Sequence, residues 1–154
     1  VQRAFGFSCM TGLRLGDMQR LRWSDIKDVN SVQTVSVIQH KTKRPVAVPL
    51  NALALSLLLP RPENGEDGII FPLVKKPDNV AKYVRRIKNK AGIEKDFTYH
   101  ISRHSAATLA ITAGAELYSV SKILGHGSIA STQVYAKVNM EKKVEAMNLT
   151  NGVF

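Results

Sequence analysis

Two short runs of β-branched and small residues interrupt a chain whose apolar residues otherwise recur at helical spacing. The first run covers residues 32–39 and the second covers residues 46–48, with the polar turn KTKRP between them. This pattern predicts two antiparallel strands joined by a basic hairpin. The helical periodicity of the remaining sequence predicts a mixed fold, mainly α-helical, with a small antiparallel β-sheet on one edge.

Capping residues and apolar spacing predict where the helices lie. The chain begins in a pattern typical of a helix, and a short apolar stripe follows at Leu15, Met18 and Leu21, closed by Trp23 and Ile26. Asn51 and Gly92 have the residue types that start and end helices. The further predicted helices cover residues 52–59, 78–91, 100–113, 117–124 and 131–135, and a last amphipathic segment covers residues 140–147.

Composition narrows both the number of domains and the kind of partner. With 154 residues and 44% hydrophobic content, the chain can bury one sizeable core, so we expect a single domain over residues 1–154. A formal charge of +10 indicates a polyanionic partner. An anionic membrane surface is the weaker alternative, because no apolar run approaches the roughly 20 residues of a spanning helix.

The start of the chain and its single cysteine indicate a compartment. Cys9 alone excludes an internal disulfide and is typical of a reducing environment. The first residues, VQRAFGF, lack the charged start and apolar block of a secretory signal, so we expect a cytoplasmic protein in a prokaryotic host. Because the chain starts at Val1 with a helical pattern already in progress, we also expect it to be a fragment of a longer protein.

Six residues suited to phosphodiester chemistry follow one another in recognisable local motifs. In chain order they are Arg14 in TGLRLGD, Lys41 in KTKRP, His100 and Arg103 in HISRH, and His126 and Tyr135 in LGHGSIASTQVY. Each motif alone is common, but their joint order strongly resembles the catalytic domain of the tyrosine recombinases, the phage integrase family, over residues 1–147. The sequence departs from the family's LGH…TTxxY signature in one detail, since Ser131 replaces the first threonine.

Arg14 and Arg103 have the side chains that cleavage of a phosphodiester requires. The pentavalent phosphorane carries extra negative charge, and a guanidinium group stays charged and binds two oxygens at once. Asp17 lies three residues after Arg14, one helical turn on, so we predict that it orients this guanidinium. An ordinary first-turn acid, favoured by the helix dipole, explains Asp17 equally well.

The resemblance implies roles for the other four residues. Tyr135 is the nucleophile and forms a 3′-phosphotyrosine intermediate. His100 and His126 hold the transition-state oxygens together with the arginines, and His100 can also accept the tyrosine proton. The family's lysine lies in the turn between two strands and protonates the leaving 5′ oxygen; Lys41 fits this role, with Lys43 as the alternative in the same turn.

The pair His100 and His104 also has the i, i+4 spacing of zinc ligands. Ile101 occupies the position at which HExxH has its glutamate, and no third ligand has a suitable spacing. We therefore predict neither a metal nor a cofactor, and we interpret His104 as a helix-packing residue.

The resemblance also implies a site-specific DNA recombinase or integrase, from a mobile element or phage. Its expected partner is double-stranded DNA, with no membrane, and the full-length protein is expected to form a homotetramer on two duplexes in the nucleoid. An upstream DNA-binding domain is expected to precede the chain. The candidate contacts to the DNA backbone are six basic residues, Lys43, Arg44, Lys82, Arg85, Arg86 and Lys90.

Two other functions stay open on the sequence alone. A type IB topoisomerase performs the same chemistry on one duplex, and a non-cleaving module binds DNA without reacting. A metal-dependent nuclease is disfavoured, because the chain has only 12 acidic residues and none of them cluster beside the histidines.

Overall fold

The computed structural model describes residues 1–63, 65–72, 77–135 and 147–148. Within these residues the chain is mainly helical with one small antiparallel sheet, as predicted. The predicted segment at 140–147 lies outside the described residues, apart from Met147. The elements in chain order are α1 Gln2–Thr11, α2 Leu15–Met18, a 3-10 turn Trp23–Asp25, β1 Ile26–Val29, β2 Val32–Ile38, β3 Pro45–Pro49, α3 Ala52–Leu57, α4 Pro77–Lys90, α5 Ile101–Thr112, α6 Leu117–Leu124 and α7 Ala130–Gln133.

The sheet has the order β1-β2-β3, and both pairs of neighbours are antiparallel. The predicted hairpin is the β2–β3 pair, in which Val35 lies opposite Val48. The interpretation of Ile26 as the end of a helical segment was wrong, because β1 starts there and pairs with β2. The β1–β2 loop consists of Asn30 and Ser31, both with positive φ, the conformation of a type I′ hairpin turn. It lacks the glycine that makes such turns easy to recognise in a sequence.

The predicted cap at Asn51 is present in the structure. The Asn51 side chain accepts a 2.8 Å hydrogen bond from the Ala54 N–H and thereby caps α3. The end of α3 comes earlier than predicted, since Leu58 already has an extended backbone. None of the helices that the structure describes is long and apolar enough to cross a membrane.

The helix α1 packs against both α3 and α5, and its Phe7 is fully buried in the main core. The ring of Phe7 lies 5.4 Å from that of Phe71. A smaller apolar cluster, formed by Ala107, Val120 and Leu124, joins α5 to α6. Because α6 also packs on β3, the end of α6 lies close to the β2–β3 hairpin.

A buried tyrosine fixes the segment that leads into α5. The hydroxyl of Tyr99 donates to the backbone oxygen of Ala4 at 2.9 Å and shares a second hydrogen bond of 2.9 Å with Ser8 Oγ. Burial raises the pKa of this phenol to about 12. These two hydrogen bonds attach Tyr99, the residue before His100, to α1, and they explain why this tyrosine is buried.

Candidate active site

The six predicted residues come from separate segments that converge on one side of the molecule. Arg14 precedes α2, Lys41 lies in the β2–β3 turn, His100 and Arg103 are at the start of α5, His126 follows α6 and Tyr135 follows α7. Several of them lie close enough for their charges to shift one another's pKa values. The pKa of His100 is lowered by partial burial, then by His104, and then by the charges of Arg103, Arg14 and Lys41. The fold thus brings together residues that are far apart in the sequence.

The guanidinium of Arg103 is held by two backbone carbonyls. The residue is only 3% exposed, and its Nη1 and Nη2 donate to the oxygens of Gly12 and Leu124 at 2.8 and 2.5 Å. Burial, followed by the charge of Arg14, lowers the Arg103 pKa to about 10. The group still stays protonated at neutral pH, in one fixed orientation.

The side chain of Arg14 donates from Nη1 to Gln39 Oε1 at 2.5 Å. The amide of Gln39 in turn donates from Nε2 to the Leu124 oxygen at 2.9 Å. That oxygen is the one that also accepts from Arg103. A glutamine that the motif analysis did not single out therefore links the two arginines.

The hairpin rests directly on the LGHG segment. Gly125 has φ 64, and a Cβ there would lie 2.6 Å from Val46 and 2.8 Å from Gln39 Oε1. Only glycine combines this backbone conformation with so close an approach. A Cβ on Gly127 would lie 2.7 Å from a guanidinium nitrogen of Arg44, so this predicted DNA contact lies over the segment that carries His126.

The phenol oxygen of Tyr135 lies 2.6 Å from Nδ1 of His104. The ring of His104 also contacts that of His100 edge to face, with centroids 4.8 Å apart. The structure therefore places His104 beside the candidate nucleophile, which corrects its interpretation as a helix-packing residue. Partial burial raises the pKa of Tyr135, and the charge of Arg103 acts in the opposite direction. A proton acceptor is needed for this phenol to react near neutral pH.

The imidazole of His126 is held by Thr132, whose Oγ1 lies 2.7 Å from Nδ1. Thr132 is fully buried and is the second threonine position of the signature. Partial burial, then Arg103 and Arg14, lower the pKa of His126 to about 4. Because Thr132 engages Nδ1 of this neutral ring, Nε2 is the ring nitrogen suited to contact a substrate.

The structure does not bear out the predicted contact between Asp17 and Arg14. Asp17 Oδ1 instead accepts from the backbone N–H of His40 at 2.7 Å, and its Oδ2 is buried without a hydrogen-bond partner in the described part of the chain. The physical reason is that Arg14 has an extended backbone before α2, so the helical i, i+3 spacing does not apply. Asp17 thereby holds the base of the turn that carries Lys41.

The predicted backbone contacts form two exposed basic surfaces. Lys41 and Lys43 are exposed in the hairpin turn, where Lys43 has a positive φ. His100 lines a cleft together with Arg85 and with Lys88, which is paired with Asp96. The exposed basic residues of α4 are Lys82, Arg85, Arg86 and Lys90, all predicted as candidate contacts.

The acidic and imidazole side chains give no metal centre among the residues that the structure describes. No group of three His, Cys, Asp or Glu residues is arranged to hold an ion there. The charges of Arg103 and Arg14 act on His126 and would oppose the binding of a cation beside it.

Sequence and structure comparisons identify the family. The model of the phage integrase family matches residues 2–142. The tyrosine recombinase XerD of Listeria innocua is 31% identical over 144 residues, covering 83% of this chain and 46% of that protein. The XerH site-specific recombinase, in a pre-cleavage complex with its difH substrate, superposes with a TM-score of 0.71 at 26% identity over 95% of this chain and 45% of that one. The catalytic domain of bacteriophage HP1 integrase superposes with a TM-score of 0.67 at 21% identity, covering 93% and 79%.

This chain belongs to the phage integrase family. The predicted fold is confirmed by the superpositions. The chain spans about half the length of the curated relatives that it matches.

Proposed function

We propose that this chain is the catalytic domain of a site-specific DNA recombinase that cleaves and rejoins DNA through a 3′-phosphotyrosine bond. The observation that carries the proposal is the meeting of Tyr135 with His104 beside the buried guanidinium of Arg103, whose charge acts on the phenol. Family membership supports the same reaction. The fixed positive charge of Arg14 and Arg103 is suited to a phosphorane, which these groups stabilise without moving.

In the proposed cleavage step, the Tyr135 oxygen attacks the phosphorus while the bond to the 5′ oxygen breaks. The phenol proton passes to Nδ1 of His104, the nitrogen already 2.6 Å away. Lys41 gives a proton to the leaving 5′ oxygen. Rejoining reverses each transfer: a 5′ hydroxyl from the partner duplex attacks the phosphorus, its proton goes to Lys41, and Tyr135 leaves with the proton from His104.

The choice of His104 over His100 as the proton acceptor rests on distance. The sequence favoured His100, yet the hydrogen bond of the phenol goes to His104. Partial burial, followed by the charges of His104, Arg103, Arg14 and Lys41, lowers the pKa of His100 and so favours its neutral form. A neutral His100 and a neutral His126 donate hydrogen bonds to phosphate oxygens.

The proposal extends to the complete protein. We propose that this single domain works with a further DNA-binding domain, as a homotetramer on two duplexes, in the cytoplasm at the nucleoid. The share of the relatives' length that the chain covers, 46% for XerD, leaves room for such a domain. XerH forms a complex with its DNA substrate, which supports double-stranded DNA as the partner here.

Covalent capture tests the proposal. Full-length protein is incubated with a random pool of nicked duplexes, and the DNA that stays attached after denaturation is amplified and sequenced. We expect an adduct on a defined sequence, formed equally in the presence of chelator. Tyr135→Phe should abolish the adduct but retain DNA binding.

The matched control is Tyr118→Phe, which alters an exposed tyrosine beneath Lys122 and should leave the adduct intact. An adduct in the Tyr135→Phe protein, or cleavage that requires magnesium, contradicts the mechanism. Relaxation of supercoiled DNA without exchange between two duplexes would favour a topoisomerase, and binding without an adduct would favour a non-cleaving module.

A further inference from the structure

We propose that Gln39 is a positioning residue that fixes Arg14 relative to Arg103 through one shared carbonyl oxygen. The inference rests on the proposed function, in which both guanidinium groups bind the same phosphorane. Gln39 follows β2 and precedes the turn that carries Lys41. It is 1% exposed, which is unusual for a glutamine and requires that its amide be satisfied inside the protein.

The neighbours of the Gln39 amide determine its orientation. Its Oε1 accepts from Arg14 Nη1 at 2.5 Å and from Thr42 Oγ1 at 2.8 Å. Its Nε2 donates to the Leu124 oxygen at 2.9 Å. Because a guanidinium only donates and a carbonyl only accepts, a flipped amide would lose both bonds. Gln39 is therefore held in a single orientation at both ends.

The Leu124 oxygen completes the connection to the second arginine. It ends α6 and accepts from Arg103 Nη2 at 2.5 Å as well as from Gln39. Arg103 is further held by the Gly12 oxygen at 2.8 Å. A displacement of Arg14 away from Arg103 must therefore stretch a hydrogen bond of Gln39.

The backbone of Gln39 is rigidly mounted. Its N–H donates to the Arg44 oxygen at 2.8 Å, and its own oxygen accepts from the Lys43 N–H at 2.9 Å. Gly125 lies against the amide, where a Cβ would come within 2.8 Å of Oε1. The hairpin and the end of α6 thus fix the amide from both sides.

Neither methionine nor glutamate, the side chains of similar length, can replace glutamine here. Methionine has a similar shape but neither accepts from Arg14 as a carbonyl does nor donates to Leu124. Glutamate accepts from Arg14, but its carboxylate cannot donate to the Leu124 oxygen and would face it with a negative charge. The Gln39 amide supplies an acceptor to one arginine and a donor to the oxygen that holds the other.

The first experiment compares Gln39→Met with Gln33→Met in full-length protein. Gln33 lies on β2, is exposed, and its side-chain amide donates to Oδ2 of Asp28. The probe is a nicked duplex with the sequence captured by unmutated protein. We expect Gln39→Met to slow adduct formation by about tenfold to a hundredfold, because displacing a catalytic group by about 1 Å has effects of this size. The affinity for DNA should change by less than about twofold. A rate within about twofold of the Gln33→Met control overturns the proposal.

A substrate with sulfur in place of the leaving 5′ oxygen separates the arginines from the lysine. A thiolate leaves without a proton donor, so this substrate bypasses Lys41 but still requires the arginines. We expect the deficit of Gln39→Met to persist on it. Complete recovery on sulfur would show that Gln39 serves only the lysine turn, and the assignment to the arginines would be wrong.

A measurement without catalysis tests the link directly. In ¹H–¹⁵N spectra of the guanidinium groups, Gln39→Met should move the signals of both Arg14 and Arg103, although Arg14 is the only one of the two arginines that Gln39 contacts directly. Gln33→Met should move neither. An unmoved Arg103 signal overturns the proposal. If Gln39→Met does not melt cooperatively, Gln39→Glu takes its place. This variant keeps an acceptor for Arg14, and it should still shift the Arg103 signal and still form the adduct slowly.

These readouts separate the two proposals. If unmutated protein forms no adduct, the proposed function fails, while the guanidinium spectra still decide whether Gln39 links the arginines. If the adduct forms normally and Gln39→Met matches its control, the proposed function stands and the role of Gln39 is wrong.

Discussion

Tyr135 and His104 are 31 residues apart in the chain, yet the phenol oxygen of one lies 2.6 Å from Nδ1 of the other. The ring of His104 contacts that of His100 as well, so the two histidines of HISRH differ in their surroundings. His104 faces the tyrosine, whereas His100 lies toward the cleft next to α4. The two histidines are therefore expected to respond differently to substitution.

His104→Leu should slow formation of the covalent adduct by about a hundredfold or more, the usual effect of losing a general base. Burial raises the Tyr135 pKa, so without an acceptor the rate should climb steadily as the pH rises toward about 10. Single-turnover rates between about pH 6 and 10 provide the measurement. If His100→Leu shows this steep pH dependence and His104→Leu does not, His100 is the acceptor.

Lys41→Ala should be slow on ordinary DNA and nearly normal on a substrate with sulfur at the leaving 5′ position, because a thiolate needs no proton. Lys43→Ala is the control within the same hairpin. Cleavage rates of both variants on both substrates decide the assignment. Recovery of Lys43→Ala alone identifies Lys43 as the donor, and recovery of neither, with both defective, means that the turn binds DNA without donating.

The stability of the protein should fall as the pH drops from about 6.5 toward 4, partly because of His126. Its folded pKa of about 4 lies below the ordinary value, so in this window the unfolded chain binds a proton that the folded one excludes. Above pH 6.5 both states are neutral and the residue has no such effect. His126→Asn should flatten the fall in melting temperature, since asparagine keeps a partner for Thr132 but does not titrate. An unchanged slope would contradict the assignment.

Gly125→Ala should destabilise the protein more than Gly92→Ala. Both glycines have φ 64, so alanine meets the same backbone strain of about 1–2 kcal/mol at either position. A Cβ at Gly92 has no heavy atom within 4 Å, whereas one at Gly125 collides with Val46 and Gln39. The overpacking adds about 1–3 kcal/mol to the loss in unfolding free energy, measured by denaturant titration. Equal losses would mean that the hairpin yields freely.

The exposed basic face of α4 should contact DNA phosphates. Lys82→Ala and Arg86→Ala are each expected to weaken binding to a random-sequence duplex and to reduce the slope of log affinity against log salt by about 0.9. Lys27→Ala, an exposed residue on β1, serves as the control. Titrations at several salt concentrations give the slopes. Unchanged slopes for both α4 variants would show that this face is simply solvated.

The sequence predicted the features that depend on neighbours along the chain. The hairpin with Lys41 in its turn, the cap at Asn51 and the helix Leu117–Leu124 follow from strand pattern, capping chemistry and helical spacing. The strand at Ile26–Val29 was not predicted, because its four residues have little pattern of their own and owe their conformation to pairing with β2. Its turn lacks glycine, so no local signal separated it from the helical residues before it.

By itself the sequence determined the family, the fold class and six candidate residues for the site, since these lie in short motifs whose order can be read along the chain. Only the tertiary structure decided which side chains meet. Gln39 and Leu124 are 85 residues apart, and Arg103 bonds to a carbonyl 91 residues before it. Alternation with Val35 and Val37 along the predicted strand 32–39 could have placed Gln39 on the buried face, but it could not have identified the partners of Gln39. Hydrogen bonds across such separations are set by how helices and hairpin pack, because each buried polar group must find whatever partner the packing brings within reach.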